Sequence, residues 1–157
     1  MKNKFKGLML STLCFVVLFM VTGCGNKVAI SSSDFKTKME KKGYTVDDVT
    51  SQFDGYDYLS KVYIALSSDS AYQIEFYELS DVDSASILFD NSKAAFENSK
   101  SSDSPEDSVD LENHEKYTLT TNGQFKVVSR IDNTVIYLDV PDTYKSSVEG
   151  VLKDLGY

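Results

Sequence analysis

Apolar residues in this chain fall into one continuous run and a longer stretch in which they recur with a period. The run spans Gly7 to Gly23, carries no charge, and is rich in Leu, Val, Phe and Met. Beyond it the period switches between that of a helix and that of a strand. A short helix is predicted from about Asp34 to Lys42: Phe35 and Met39 share a face, Ser33 or Asp34 can cap the start, and Gly43 can end it. Tyr56 to Leu66 alternates through Tyr56, Tyr58, Val62, Ile64 and Leu66, and Tyr72 to Leu79 through Tyr72, Ile74 and Phe76. The short polar stretch Ser67 to Ser70 between them suits a hairpin. A second helix is predicted from Val82 to Ser99, with Ala85, Leu88, Phe89, Ala95 and Phe96 as its stripe and Ser80 or Asp81 as its cap. Lys100 to Asn113 is polar and acidic, contains Pro105, and reads as a loop. Three strands then form a meander: Glu115 to Thr120, Gln124 to Ile131 and Thr134 to Val140, turning through Asn122-Gly123 and Asp132-Asn133. A last helix, Thr143 to Leu155, aligns Tyr144, Val148, Val151, Leu152 and Leu155 ahead of Gly156.

The order α-ββ-α-βββ-α with hairpin-length connections predicts an α+β fold: a two-layer sandwich of a five-stranded antiparallel sheet with three helices on one side. Ile64, Phe76, Phe125, Val127, Ile136 and Leu138 are expected beneath the helices. The other face is then left wet. It carries Lys61, Tyr63, Glu75, Tyr77, Lys126, Val128, Val135, Tyr137 and Arg130, the chain's only arginine. Tyr and Arg are enriched at binding hot spots, so Tyr63, Tyr77, Arg130 and Tyr137 form the candidate binding face. Tyrosines also suit any half-exposed strand.

The apolar run has a different meaning. Lys2, Lys4 and Lys6 precede it, giving the basic and then apolar layout of a secretion signal. It falls short of the roughly 20 apolar residues that a spanning helix needs. It ends in Val21-Thr22-Gly23-Cys24, which resembles the lipobox of bacterial lipoproteins: a branched apolar residue, a small or polar one, Gly or Ala, then cysteine. The resemblance implies cleavage before Cys24, a fatty-acylated (palmitate-type) diacylglyceryl group on its thiol, and anchorage at the extracytoplasmic face of the cell membrane. Two or three acyl chains make a stable anchor where one does not. The layout is similar to small lipoproteins of Gram-positive bacteria. Residues 1–23 are then the signal, 24–33 a lipidated tether whose reach is about 30 Å, and 34–157 one extracytoplasmic domain.

Charge and cysteine content narrow the partners. After removal of residues 1–23, the remaining 13 basic residues face 24 acidic ones, a net charge of −11. Nucleic-acid binding needs clustered Lys and Arg, so this balance argues against it. Cys14 leaves with the signal and Cys24 is consumed by lipid, so neither a disulfide nor a cysteine-based zinc site is expected. No cofactor or metal is implied.

Catalytic candidates are sparse. His114 is the single histidine, and no Gly-x-Ser-x-Gly is present. Asp47, Asp48, Asp54 and Asp57 could supply paired carboxylates, yet the chain has no Trp for a sugar platform, and acidic residues in turns are usually solvated caps. The segment from Asp103 to Glu112 could gather oxygens around calcium but lacks the EF-hand spacing. A transporter's two-lobed substrate-binding lipoprotein needs a longer chain. The expected function is therefore a membrane-anchored, non-catalytic binding or interaction domain for an envelope protein or small ligand. The alternatives are an envelope enzyme using carboxylates or His114, and a dedicated small-ligand-binding lipoprotein.

Overall fold

The computed structural model describes residues 26–157, so Cys24 and the signal-like segment lie outside the described residues. The chain forms α1 (Ser32–Lys41), β1 (Thr45–Asp48), β2 (Leu59–Leu66), β3 (Gln73–Leu79), α2 (Val82–Asn98), β4 (Glu106–Leu111), β5 (His114–Thr121), β6 (Gln124–Ile131), β7 (Thr134–Pro141) and α3 (Lys145–Leu155). All strands join one antiparallel sheet in the order β1-β2-β3-β7-β6-β5-β4. Two meanders, β1-β2-β3 and β4-β5-β6-β7, are thus sealed along β3 and β7.

The sheet corrects the five-stranded expectation to seven strands. The additional strands, β1 and β4, are the two edges. Thr45–Asp48 buries only Val46, and Glu106–Leu111 contains no fully buried residue. Period-two alternation records burial of one face, and an edge strand that buries almost nothing leaves no such record. Acidic side chains on both edges also discourage pairing with another chain.

The layering differs from expectation too. α1 and α3 cover one face, and α2 covers the other, so the sheet is the middle of three layers. Phe35, Met39, Ala65, Ile74, Phe76, Phe125, Val127, Ile136, Leu138, Val148 and Leu152 form the core beneath α1 and α3. Ala85, Phe89 and Phe96 of α2 pack with Leu79, Tyr117, Leu119, Val128 and Val135 on the other side. A register shift between Leu59 and Lys61 marks a bulge where β2 begins. Tyr63 lies opposite Phe76, and Ile64 opposite Glu75. Tyr63 therefore belongs to the α1/α3 face and Ile64 to the α2 face, the reverse of the expected assignment.

Local chemistry accounts for the element ends. Ser31 caps α1, its Oγ accepting from Asp34 N at 3.1 Å, and Asp81 caps α2, accepting from Ser84 N at 2.7 Å. Asn122 (φ 52°) and Gly123 (φ 74°) supply the two left-handed residues that reverse β5 into β6. The segment before α1 is docked rather than free. Asn113 Nδ2 donates to the Lys27 carbonyl at 2.7 Å, and Ile30 is buried in the core. The tether expected over 24–33 is thus already seated on the domain from Lys27 onward.

Candidate functional site

The strand register sorts the turns between two ends of the sheet. The β2–β3 turn, the β5–β6 turn and the end of β7 share one end; Asn113, the β6–β7 turn and the start of α2 share the other. A cavity of about 430 Å³ opens at the first end, on the α1/α3 side. Its lining includes Lys42, Tyr44, Ser67, Asp69, Tyr72, Tyr144, Ser147 and Val151.

Each wall tyrosine is delivered by a chain reversal. Gly43 (φ 89°) turns the chain out of α1, and Tyr44 N bonds back to the Met39 carbonyl at 3.1 Å. The β2–β3 turn is organised by Ser67, whose Oγ accepts from Ala71 N and Tyr72 N at 3.1 Å and donates to Asp69 Oδ1 at 2.7 Å. Tyr144 closes the short 3-10 turn Asp142–Tyr144 that leads into α3. The three rings form a continuous wall: Tyr72 meets Tyr44 edge-on at 6.1 Å between centroids and Tyr144 at a 47° tilt and 4.8 Å.

The electrostatics of this wall are well defined. The Tyr44 and Tyr72 hydroxyls bond to each other at 2.5 Å. Burial, followed by the hydrogen bond shared with Tyr72, pushes the Tyr44 phenol above its ordinary value, so it stays neutral. The Tyr144 hydroxyl donates to Asp69 Oδ2 at 3.2 Å, and that bond raises the Tyr144 phenol as well. The Asp69 carboxyl is held below its usual value by the Ser67 hydroxyl, then by the Ala71 amide, with Tyr144 contributing less. Lys42 at the rim is paired with Asp154.

The residues singled out from sequence lie elsewhere. Tyr63 is buried under α1 with its ring stacked on Phe35 at 6.4 Å. Tyr77 and Tyr137 lie on the opposite face, beneath α2: Tyr77 donates to Glu75 Oε2 at 2.5 Å, and Tyr137 packs on Phe96 at 5.2 Å. Arg130 is 3% exposed, and three of its nitrogens are engaged. Nε bonds Glu115 Oε2 at 2.5 Å, Nη1 the Asp132 carbonyl at 3.1 Å, and Nη2 the Glu112 carbonyl at 3.3 Å. Arg130 therefore clamps two turns together. The four residues do not form one wet face, because the sheet has helices on both sides.

His114 is also buried, 3% exposed. Its Nε2 lies 3.5 Å from Ser129 Oγ, and its Nδ1 has no partner. Burial first, then the charges of Lys27, Lys116 and Arg130, hold it down to about 4. Asp48 is held down to about 2 by hydrogen bonds from Thr50 first and then from Lys61, a turn-stabilising arrangement. Neither Asp48 nor Asp47, Asp54 or Asp57 lines the cavity. Within the stretch expected as a loop, Lys100 to Asn113, residues Glu106–Leu111 form β4, where Glu106 bonds Lys100 at 2.5 Å and the Tyr117 hydroxyl at 2.7 Å. Among the described residues no group of three or more His, Cys, Asp or Glu side chains is arranged to hold a metal ion.

A smaller cavity, about 220 Å³, lies at the opposite end of the sheet beside α2, among Tyr58, Ser84, Ile87, Leu88 and Asn91. It lacks a charged lining residue. Sequence reasoning missed Tyr44, Asp69, Tyr72 and Tyr144 as a set because each sits at the edge of its own element. Their shared signal is only that a tyrosine or aspartate follows a helix, occupies a hairpin, or precedes a helix.

No family model matches this chain, and no curated protein matches it. Among solved structures it is similar to a GTP binding regulator from Thermotoga maritima, with 19% identity, a TM-score of 0.47, and coverage of 81% of this chain and 85% of that one. At that level no property of the relative is carried over. Among the described residues no helix is long and apolar enough to cross a membrane.

Proposed function

We propose that this chain is a bacterial lipoprotein, acylated at Cys24 and held at the outer face of the cell membrane, whose domain binds a small ligand in the tyrosine-walled cavity without transforming it. The observation that carries the binding role is the convergence of Tyr44, Tyr72, Tyr144 and Asp69 on one open cavity of about 430 Å³. Its lining combines the three phenol rings with the hydroxyls of Ser67 and Ser147 and the Asp69 carboxylate, polar groups that can orient a bound molecule. Support for the arrangement at the membrane comes from Lys27, docked beside Asn113 at the sheet end remote from that cavity. Three peptide units separate Cys24 from Lys27, a reach of roughly 10–11 Å. An anchor on Cys24 therefore holds the Asn113 end near the bilayer and leaves the tyrosine cavity facing outward.

Two measurements test this reading. Cys24→Ala is expected to move the protein from the membrane fraction to the soluble one and to abolish labelling by a palmitate analogue; unchanged fractionation and labelling would refute the anchor. Small molecules released from the purified wild-type protein on denaturation, read by mass spectrometry, are expected to include a species missing from Tyr72→Leu. Identical profiles from two equally folded proteins would refute the pocket.

A further inference from the structure

The charge and ring content of the tyrosine cavity define the ligand class. Two charged side chains line it, Lys42 and Asp69. The Lys42 ammonium is already matched by the Asp154 carboxylate. Asp69 is matched by nothing: it accepts from the Ser67 hydroxyl, the Ala71 amide and the Tyr144 hydroxyl, all neutral donors. Among the described residues it takes part in no ion pair. The same donors stabilise its anionic form, so the cavity keeps one uncompensated negative charge. Around it stand three phenol rings. A ring face carries a negative quadrupole and attracts an organic cation, and several rings around one space add to that attraction. The excess of acidic over basic residues across the whole chain, a net charge of −8, draws cations towards any such cleft.

We infer that the cavity formed by Tyr44, Tyr72, Tyr144 and Asp69 is a binding site for an organic ammonium group, with the cation against the tyrosine rings and Asp69 as its counter-ion. This assignment rests on the pocket reading proposed above and gives it a chemistry. A neutral saccharide would use the tyrosine hydroxyls and the Asp69 oxygens as hydrogen-bond partners and would give no preference to a cation over its carbon isostere. An anion is opposed by Asp69 outright.

The test uses the full-length protein in maltoside micelles and two probe pairs, each a cation with its neutral carbon isostere: choline with 3,3-dimethylbutan-1-ol, and 4-hydroxybutylammonium with pentan-1-ol. Saturation-transfer NMR reads contact with the probe, and titration reads affinity. At least one cation is expected to bind, and to bind more tightly than its isostere. Asp69→Asn, which keeps an acceptor for Ser67 and Ala71, is expected to weaken that cation about tenfold, the scale of one charge-assisted contact. Tyr72→Leu is expected to abolish the signal, and Tyr144→Phe, which keeps the ring, to leave affinity within about twofold. Retained melting temperature in Asp69→Asn shows that the turn survives. Equal binding of cation and isostere, or an affinity untouched by Asp69→Asn, overturns the inference. N-acetylglucosamine is run in parallel. Its binding with both cations silent overturns the ammonium assignment but keeps a ligand pocket. Silence from all the probes overturns the assignment too, and the released-molecule comparison with Tyr72→Leu then decides separately whether a pocket exists.

Discussion

The two faces of the sheet are both covered, but by different means. Beneath α1 and α3 the covering is apolar almost throughout, from Ile74 and Ala65 on one side to Phe125 and Val140 on the other. Beneath α2 only the centre is apolar, and polar pairs surround it: Tyr77 with Glu75, Tyr117 with Glu106, Arg130 with Glu115, and Lys126 with Asp139. The cause is geometric. Two helices side by side span a broad sheet, whereas one helix about 10–12 Å across cannot cover seven strands spaced roughly 4.8 Å apart. Strand positions beyond the reach of α2 are filled instead by tyrosines and ion pairs, and Arg130 is closed off there by Glu115 and the turn carbonyls it holds. A face with this composition resembles a wet binding surface in sequence, although its centre is filled by a helix.

The largest expected effect probes the apolar face. Phe35 is fully buried and stacks on Phe76 at 4.6 Å, so Phe35→Ala should cost about 3–5 kcal/mol, measured from urea midpoints at constant m-value. Phe96, capped by Lys126 at 5.3 Å from its ring, lies towards the margin of α2 and should fall at the low end, about 3 kcal/mol. A larger loss at Phe96 than at Phe35 would reverse the comparison.

The polar rim is probed next. Glu115→Gln leaves the Arg130 guanidinium buried without its carboxylate and should cost about 3 kcal/mol, whereas an exposed pair such as Lys36 with Glu40 should be worth less than about 0.5 kcal/mol. Equal small losses from both would mean that Arg130 is not held as a buried charge. A further effect is a pH dependence, spread over several pH units. Because His114 is held at about 4 in the folded protein against 6.5 when free, the folded state binds fewer protons than the unfolded chain between those values. Its contribution is therefore fully present above about pH 6.5 and is lost as pH falls towards 4, with an upper bound of about 3.4 kcal/mol. His114→Gln should flatten the stability curve across that interval; an unchanged slope would show that His114 is protonated in place.

Much of the fold was legible because burial and turn chemistry leave local traces. The β5–β6–β7 meander follows its alternation and the Asn122-Gly123 turn, and α2 and α3 follow their apolar stripes to within two residues at each end. β1 and β4 left no trace because edge strands bury too little. The assignment of Tyr63 failed for a sharper reason: with a side-chain period of two, the irregularity between Leu59 and Lys61 decides which residues of β2 meet which face. None of Tyr44, Asp69, Tyr72 and Tyr144 stood out alone, since a cavity belongs to no single segment.

What the chain determined by itself is whatever depends on neighbours in sequence: the lipobox-like run ending at Cys24, the acidic balance, the helices, the meander and the hairpin turns. Only the tertiary structure decided which side of the sheet α2 would take, that Arg130 and His114 would be buried, and that three tyrosines separated by 28 and 72 residues would share one wall with Asp69. Local patterns register which residues leave water. Which partners they then meet depends on contacts between distant segments, and those are set only when the layers pack.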